Sequence, residues 1–246
     1  MIWHHALMLF AAGVGGGLTG SIAGLASVAT YPALLLIGLP PVTANVTNTV
    51  ALTFNTAGSV WGSLPELDGM GRWLRRMLPV AMAGGAAGAA LLLTMPAKGF
   101  ADVVPVLLAF SAVTIALPRR ASATGRSREL WIAAALFVIC VYGGFFGAAA
   151  GVVMLALFLH AGSESLAHAN AAKNVLLGAA NGVAALGFIM FAPVHWTAVV
   201  PMGAGCLLGA RLGPVVVRHA PATPLRLLIA AGGLALAVKL AFDTYR

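Results

Sequence analysis

This chain carries very little charge: Asp, Glu, Lys and Arg make up 8% of its 246 residues, and only 6 are acidic. Glu66, Asp68, Asp102, Glu129, Glu164 and Asp243 all fall in expected loops or at helix ends. No acid therefore lies mid-membrane to serve the proton relay of a cation pump. Cysteine is nearly absent too. Cys140 and Cys206 stand singly in apolar runs, without the spacing of a metal site or a redox pair, and no metal or cofactor is expected. Long polar stretches are missing; the longest, Pro118 to Glu129, is a linker rather than an aqueous domain. Lys and Arg are absent from the opening Met1-Ile-Trp-His-His-Ala, and the apolar run after it has no clear cleavage site, so the first segment is expected to stay in the chain. A nucleophile elbow is lacking as well. Ser21 sits in Gly20-Ser-x-x-Gly24, and His168 has no glycine spacing that would seat it against a serine helix, so no enzyme is expected.

What is present is apolar: 61% hydrophobic residues and a mean hydropathy of +0.98. Such values lie outside the range of soluble domains and predict an all-α integral membrane protein. A net charge of +8 would suggest nucleic acid in a soluble protein. Here the arginines sit in short loops, where they set orientation instead; the expected partners are the lipid bilayer and a small substrate, not nucleic acid.

Glycines 13, 15, 16, 17, 20 and 24 interrupt residues 6–38, which predicts two short helical pieces, 6–19 and 23–38, ended by Pro40-Pro41. Residues 43–61 form a third helix with Asn45, Asn48, Thr49, Thr53 and Thr56 at helical spacing. A basic loop follows (Arg72, Arg75, Arg76), then a helix over 77–95 with a Gly84, Gly85, Gly88 seam that would admit a neighbouring backbone, then a helix over 102–118. From residue 130 the plan restarts: short pieces at 130–146 and 149–161, a polar-faced helix at 167–191, a glycine-seamed helix at 197–213 and a last helix at 223–241. Gly16, Gly17, Gly20 and Gly24 match Gly143, Gly144, Gly147 and Gly151; Asn45 and Asn48 match Asn170 and Lys173; Gly84 and Gly88 match Gly205 and Gly209. The expected organisation is an N-terminal repeat (1–118), a basic cytoplasmic linker (119–129) and a C-terminal repeat (130–246), with 8–10 membrane segments in all. Five elements per half invert the second half. With the linker inside, ten basic residues lie inside and three outside (Lys98, Lys239, Arg246).

Lys173 is the one basic residue placed within the membrane. A charge at depth costs roughly 3 kcal/mol on insertion scales, which marks a candidate functional site. Its stem would alternatively let the amine snorkel to the surface. Matching broken, polar-lined segments in two halves point to a carrier's binding site. The expected cavity is lined by the helix ends at Gly17, Thr19 and Gly20 and at Gly144 and Gly147. Asn45, Asn48, Asn170 and Asn174 supply hydrogen bonds, and Lys173 supplies charge for a small anion. The bland alternatives stay open: glycines that serve packing alone, asparagines that tie helices together, and seams that pack within one chain or across a homodimer. His168, one turn from Lys173, is a candidate proton carrier.

Gly15-Gly-Gly17, Tyr31-Pro-Ala-Leu-Leu-Leu-Ile-Gly38, the Ala44-Asn45 helix, Gly144-Phe-Phe-Gly147 and Ala169-Asn-Ala-Ala-Lys-Asn174 together resemble the sulfite exporter TauE/SafE family over nearly the whole chain. The sequence departs from that pattern at Leu18-Thr-Gly-Ser-Ile-Ala-Gly24 and at Tyr31, where the family usually has an aliphatic residue. The resemblance implies a multi-pass carrier of the bacterial inner membrane for small sulfur-containing anions such as sulfite, sulfonates or sulfoacetate.

Overall fold

The structure, a computed structural model, describes residues 3–96, 126–148, 150–161 and 165–219. Among these there are eight α-helices and one 3-10 turn, and no strand: α1 (Trp3–Ala23), α2 (Ala26–Leu36), α3 (Pro41–Gly62), the turn Leu64–Leu67, α4 (Gly71–Thr94), α5 (Arg126–Phe145), α6 (Ala150–His160), α7 (Leu166–Phe191) and α8 (Trp196–His219). The expected helices 102–118 and 223–241 and most of the linker lie outside the described residues. Helices α1, α4, α7 and α8 are long and apolar enough to cross a membrane. A helix pairs most of its backbone groups within its own segment, as a bilayer requires, and this is an all-α integral membrane protein. Helices α2 and α6 have 11 residues each. At 1.5 Å per residue they rise about 16 Å, roughly half of a hydrocarbon core.

The expected break of the first segment into pieces 6–19 and 23–38 is corrected: α1 runs unbroken through its glycines to Ala23. A Cβ at Gly13 or Gly17 would collide with the α8 backbone at Met202 or Cys206. Close packing there outweighs the roughly 1 kcal/mol of helix propensity that each glycine gives up. The chain breaks instead at Gly24, whose φ of 77° is left-handed and whose N–H donates to the Gly20 carbonyl at 2.6 Å. In the second half the corresponding break is earlier. Helix α5 stops at Phe145, the counterpart of Leu18, and Gly147 takes the left-handed φ of 75°. Helix α8 continues past 213 to His219, and α4 begins at Gly71, so Arg218 sits at the end of α8 and Arg72, Arg75 and Arg76 in the first two turns of α4, not in loops.

Helix α1 lies along α8, and α5 lies along α4. Gly205 and Gly209 of α8 press on the carbonyls of Phe10 and Val14; Gly84 and Gly88 of α4 press on those of Phe137 and Val141. In both pairs the residue numbers rise together, so the partners run in the same direction. Both glycine seams are therefore occupied within the chain. Helices α3 and α7 cross each other, with Gly178 directly against the Thr56 side chain. Gly24 and Gly151 face each other backbone to backbone.

Every Lys and Arg with a described side chain, apart from Lys173, gathers at one end of the bundle. There Arg218 donates from Nε and Nη2 to the Glu66 carboxylate and from Nη2 to the Gly62 carbonyl at 2.8 Å. Arg76 lies 3.5 Å from Glu129, and the Arg211 guanidinium stacks 4.0 Å over the Trp61 ring. At the opposite end the contact between halves is neutral: the His195 N–H donates to Thr47 Oγ1 at 3.0 Å. Leu130, Val138, Met190, Val200 and Leu208 are among the large apolar side chains left exposed, as a lipid-facing surface requires.

Candidate functional site

One side of α3 carries Asn48, Asn55 and Ser59 with Leu52 between them, and α7 answers with Lys173, Asn174 and Asn181 about Leu177. Steps of three and four residues keep each set on one helix face. Because Gly178 has no side chain, the two stripes meet closely where the helices cross. Between them, closed by the end of α1 at Gly20 and Gly24, the start of α2 and Gly147, is a cavity of about 30 Å³. One water needs about 10–15 Å³ on this measure, so the space holds about two or three waters or one compact ion.

Lys173 forms part of its wall and is 1% exposed. Its Nζ donates to the carbonyls of Gly20 at 3.0 Å and Ser21 at 3.2 Å. Both carbonyls belong to the last turn of α1, where a helix concentrates partial negative charge; that of Gly20 also accepts the Gly24 N–H, so the amine takes its second lone pair. The stem therefore carries the amine across to the other half of the chain, not outward to the surface. An ammonium has three N–H donors; two are used here and one is left for the cavity.

The other expected site residues divide. Gly20, Gly147 and Asn174 line the cavity with Lys173. Asn174 Nδ2 also donates to Ser63 Oγ at 3.1 Å, tying α7 to the turn after α3. Asn48 stands one contact away, donating to Ser27 Oγ, itself a wall residue, at 3.0 Å. Asn45 bonds the carbonyl of Phe145, where α5 ends, at 2.9 Å. Asn170 is buried beside Lys173 on α7 but is not part of the wall. Gly17 and Gly144 pack against Cys206 of α8 and Gly85 of α4. Thr19 is exposed, and its hydroxyl bonds back to the Gly15 carbonyl at 2.9 Å. His168 Nδ1 lies 2.7 Å from Ser165 Oγ, and its backbone N–H donates to the same oxygen as the N-cap of α7.

Asn55, Thr56, Ser59 and Asn181 complete the wall. The expected set ended before them, although continuing each stripe by one or two turns from Asn48 and Lys173 reaches Asn55, Ser59 and Asn181. Five asparagine Oδ1 atoms are buried without a partner among the described residues, those of Asn45, Asn48, Asn55, Asn170 and Asn181. Only Asn55 and Asn181 among them belong to the cavity wall. An orphaned buried acceptor costs about 1–3 kcal/mol, so a ligand that donates to these two oxygens recovers that loss. No cluster of three or more His, Cys, Asp or Glu suited to a metal occurs among the described residues.

The sequence profile of the family described as sulfite exporter TauE/SafE matches residues 9–240. The chain is similar to the probable membrane transporter protein ORF9 of Sinorhizobium sp, 29% identical over 255 residues that cover 99% of this chain and 95% of that protein. It is similar also to the probable membrane transporter protein YfcA of Escherichia coli strain K12, 27% identical over 97% of this chain and 90% of that one. A probable membrane transporter protein of Haemophilus influenzae is 26% identical over 96% of this chain and 94% of its own length. No solved structure matches.

Proposed function

The chain belongs to the sulfite exporter TauE/SafE family, and on that premise we propose that this multi-pass membrane transporter of the bacterial inner membrane is a secondary carrier of small sulfur-containing oxyanions, working by alternating access. One observation carries the choice of an anion: the Lys173 amine is buried against the α1 carbonyls, with one donor left for the cavity and no carboxylate among the described residues of the wall. A buried ammonium without a counter-charge is costly, and an anionic cargo supplies that charge.

Two inverted repeats, 1–118 and 130–246 about the linker 119–129, fit the packing. Each first helix lies on the fourth helix of the other half through matched residues, Phe10 and Val14 against Gly205 and Gly209, Phe137 and Val141 against Gly84 and Gly88. Helices α1 and α8 run toward the basic end while α4 and α5 start from it, so matched helices run in opposite senses. The cavity lies where the halves meet, and rocking of one half against the other would open it to either side in turn.

Purified protein in proteoliposomes tests this directly. Sulfite uptake is expected, and Lys173→Gln is expected to lower it about 100-fold, the equivalent of a charge-assisted contact of roughly 3 kcal/mol. Uptake that survives the substitution intact would put the amine outside the site and favour a neutral or cationic cargo. Thermal unfolding with sulfite, sulfonates, sulfate and carboxylates gives an independent readout, since a ligand at about 100 times its Kd stabilises the native state by about 2.7 kcal/mol.

A further inference from the structure

The wall of the cavity has amide N–H donors on Asn55 and Asn181, but it also presents acceptors that no donor of the described residues meets. Thr56 Oγ1 donates back to the Leu52 carbonyl at 3.4 Å and Ser59 Oγ to the Thr56 carbonyl at 3.1 Å, which leaves their lone pairs as what they offer a ligand. Asn55 Oδ1 and Asn181 Oδ1 add two buried acceptors without partners. Beside these stands Lys173, the single charged side chain among the described residues of the wall. A fully deprotonated oxyanion consists of acceptors only; it would leave those two asparagine oxygens unpaired and bring a second negative charge for which the described residues of the wall hold no second cation. A singly protonated oxyanion carries one charge for one ammonium, and its acidic hydrogen is the donor the asparagine oxygens lack. A space of about 30 Å³ suits such a compact ion.

We propose that Asn55 and Asn181 make the carrier selective for the singly protonated, singly charged form of a compact oxyanion, taking its hydrogen while Lys173 takes its negative end. This rests on the anion-carrier reading above and adds which protonation state of the cargo moves. The complex so formed is electrically neutral at the cavity.

The test uses the full-length protein in proteoliposomes held at equal pH on both faces, with three probes. Sulfite gains a proton near neutral pH; sulfate stays doubly charged there; methanesulfonate is singly charged with no acidic hydrogen. Sulfite uptake at fixed total concentration is expected to follow the protonated fraction, falling about tenfold per pH unit above the pKa of the ion itself. Sulfate should neither move nor compete, and methanesulfonate should bind poorly with no such pH profile. Lys173 in the wall, and His168 of α7, Glu66 of the 3-10 turn and Arg218 of α8 at the basic end, are the ionisable groups nearest the site. Titration of any of these would alter methanesulfonate and sulfite alike, whereas protonation of the cargo alters sulfite alone. Asn55→Leu and Asn181→Leu should each weaken sulfite binding by about 10- to 100-fold and erase its advantage over methanesulfonate; the wild-type probe series stands even if a variant does not fold. Uptake that is flat or rises with pH, or sulfate competing as well as sulfite, overturns the selectivity while leaving an anion carrier in place. Failure of all three anions to move or to stabilise the protein overturns both.

Discussion

At Gly24 two constraints meet. Its φ of 77° is a conformation that L side chains rarely adopt, and the space where a Cβ would go is occupied by the backbone of Gly151. Strain and overlap add, so Gly24→Ala is expected to cost about 3 kcal/mol or more, read as a lowered unfolding temperature in detergent. Gly182 lies mid-helix with nothing within 4 Å of its would-be Cβ, and Gly182→Ala should be neutral or stabilising by up to about 1 kcal/mol. Equal effects at the two positions would contradict the close approach of α1 and α6. Both are glycines in an apolar, glycine-rich chain, and sequence alone separates them only through the Gly24–Gly151 match. Lys173 was legible for a better reason, because a lone charge in an apolar run is costly wherever it points. Its acceptors were not legible. Every residue has a carbonyl, and those of Gly20 and Ser21 meet the amine only because the fold brings the last turn of α1 against Lys173 of α7.

Among the elements, the polar-faced helices and the glycine-seamed helices were readable from spacing, and their observed limits differ from expectation by a few residues. The first segment was misjudged because glycine has two uses with one signature. Gly13 and Gly17 were read as weak points in a helix, whereas they are contact points on α8. The seam glycines make this testable. Gly88 lies against the Val141 carbonyl and Gly209 against that of Val14. Gly88→Val and Gly209→Val should therefore each destabilise the protein by about 1–3 kcal/mol or more, and by similar amounts. A seam used only between protomers would instead lose dimer without losing monomer stability. At the start of α7, Ser165→Ala removes the oxygen that accepts from the His168 N–H and should cost about 1 kcal/mol.

Across the whole molecule, Glu66 in the turn between α3 and α4 and Arg218 in the last turn of α8 tie the first half to the second. The guanidinium hydrogen-bonded to Glu66 holds its carboxyl below the usual carboxylate range, with burial opposing. A carboxylate with a lowered folded-state pKa contributes stability that is present above its unfolded value and lost as pH falls through the folded one. Thermal stability should therefore drop on acidification below about pH 4, the unfolded glutamate range, and Glu66→Gln should flatten that part of the profile. The pair is between exposed and buried, so Arg218→Ala should cost about 1–3 kcal/mol at neutral pH. Neither residue was paired in the sequence, since they are 152 positions apart and only the fold brings their ends together.

Counterpart glycine runs finish their helices at different points: α1 reaches Ala23, while α5 stops more than a turn sooner, at Phe145. The amine's two carbonyl acceptors exist as a helix terminus only in this lopsided arrangement. Were the halves to exchange endings, with α1 shortened to Leu18 and α5 lengthened to Ala150, Lys173 would lose that anchorage and the Asn45 bond to Phe145 would meet the middle of a helix instead. The length of α1 thus decides which carbonyls meet the cation, and the two halves hold their counterpart glycine runs in different forms.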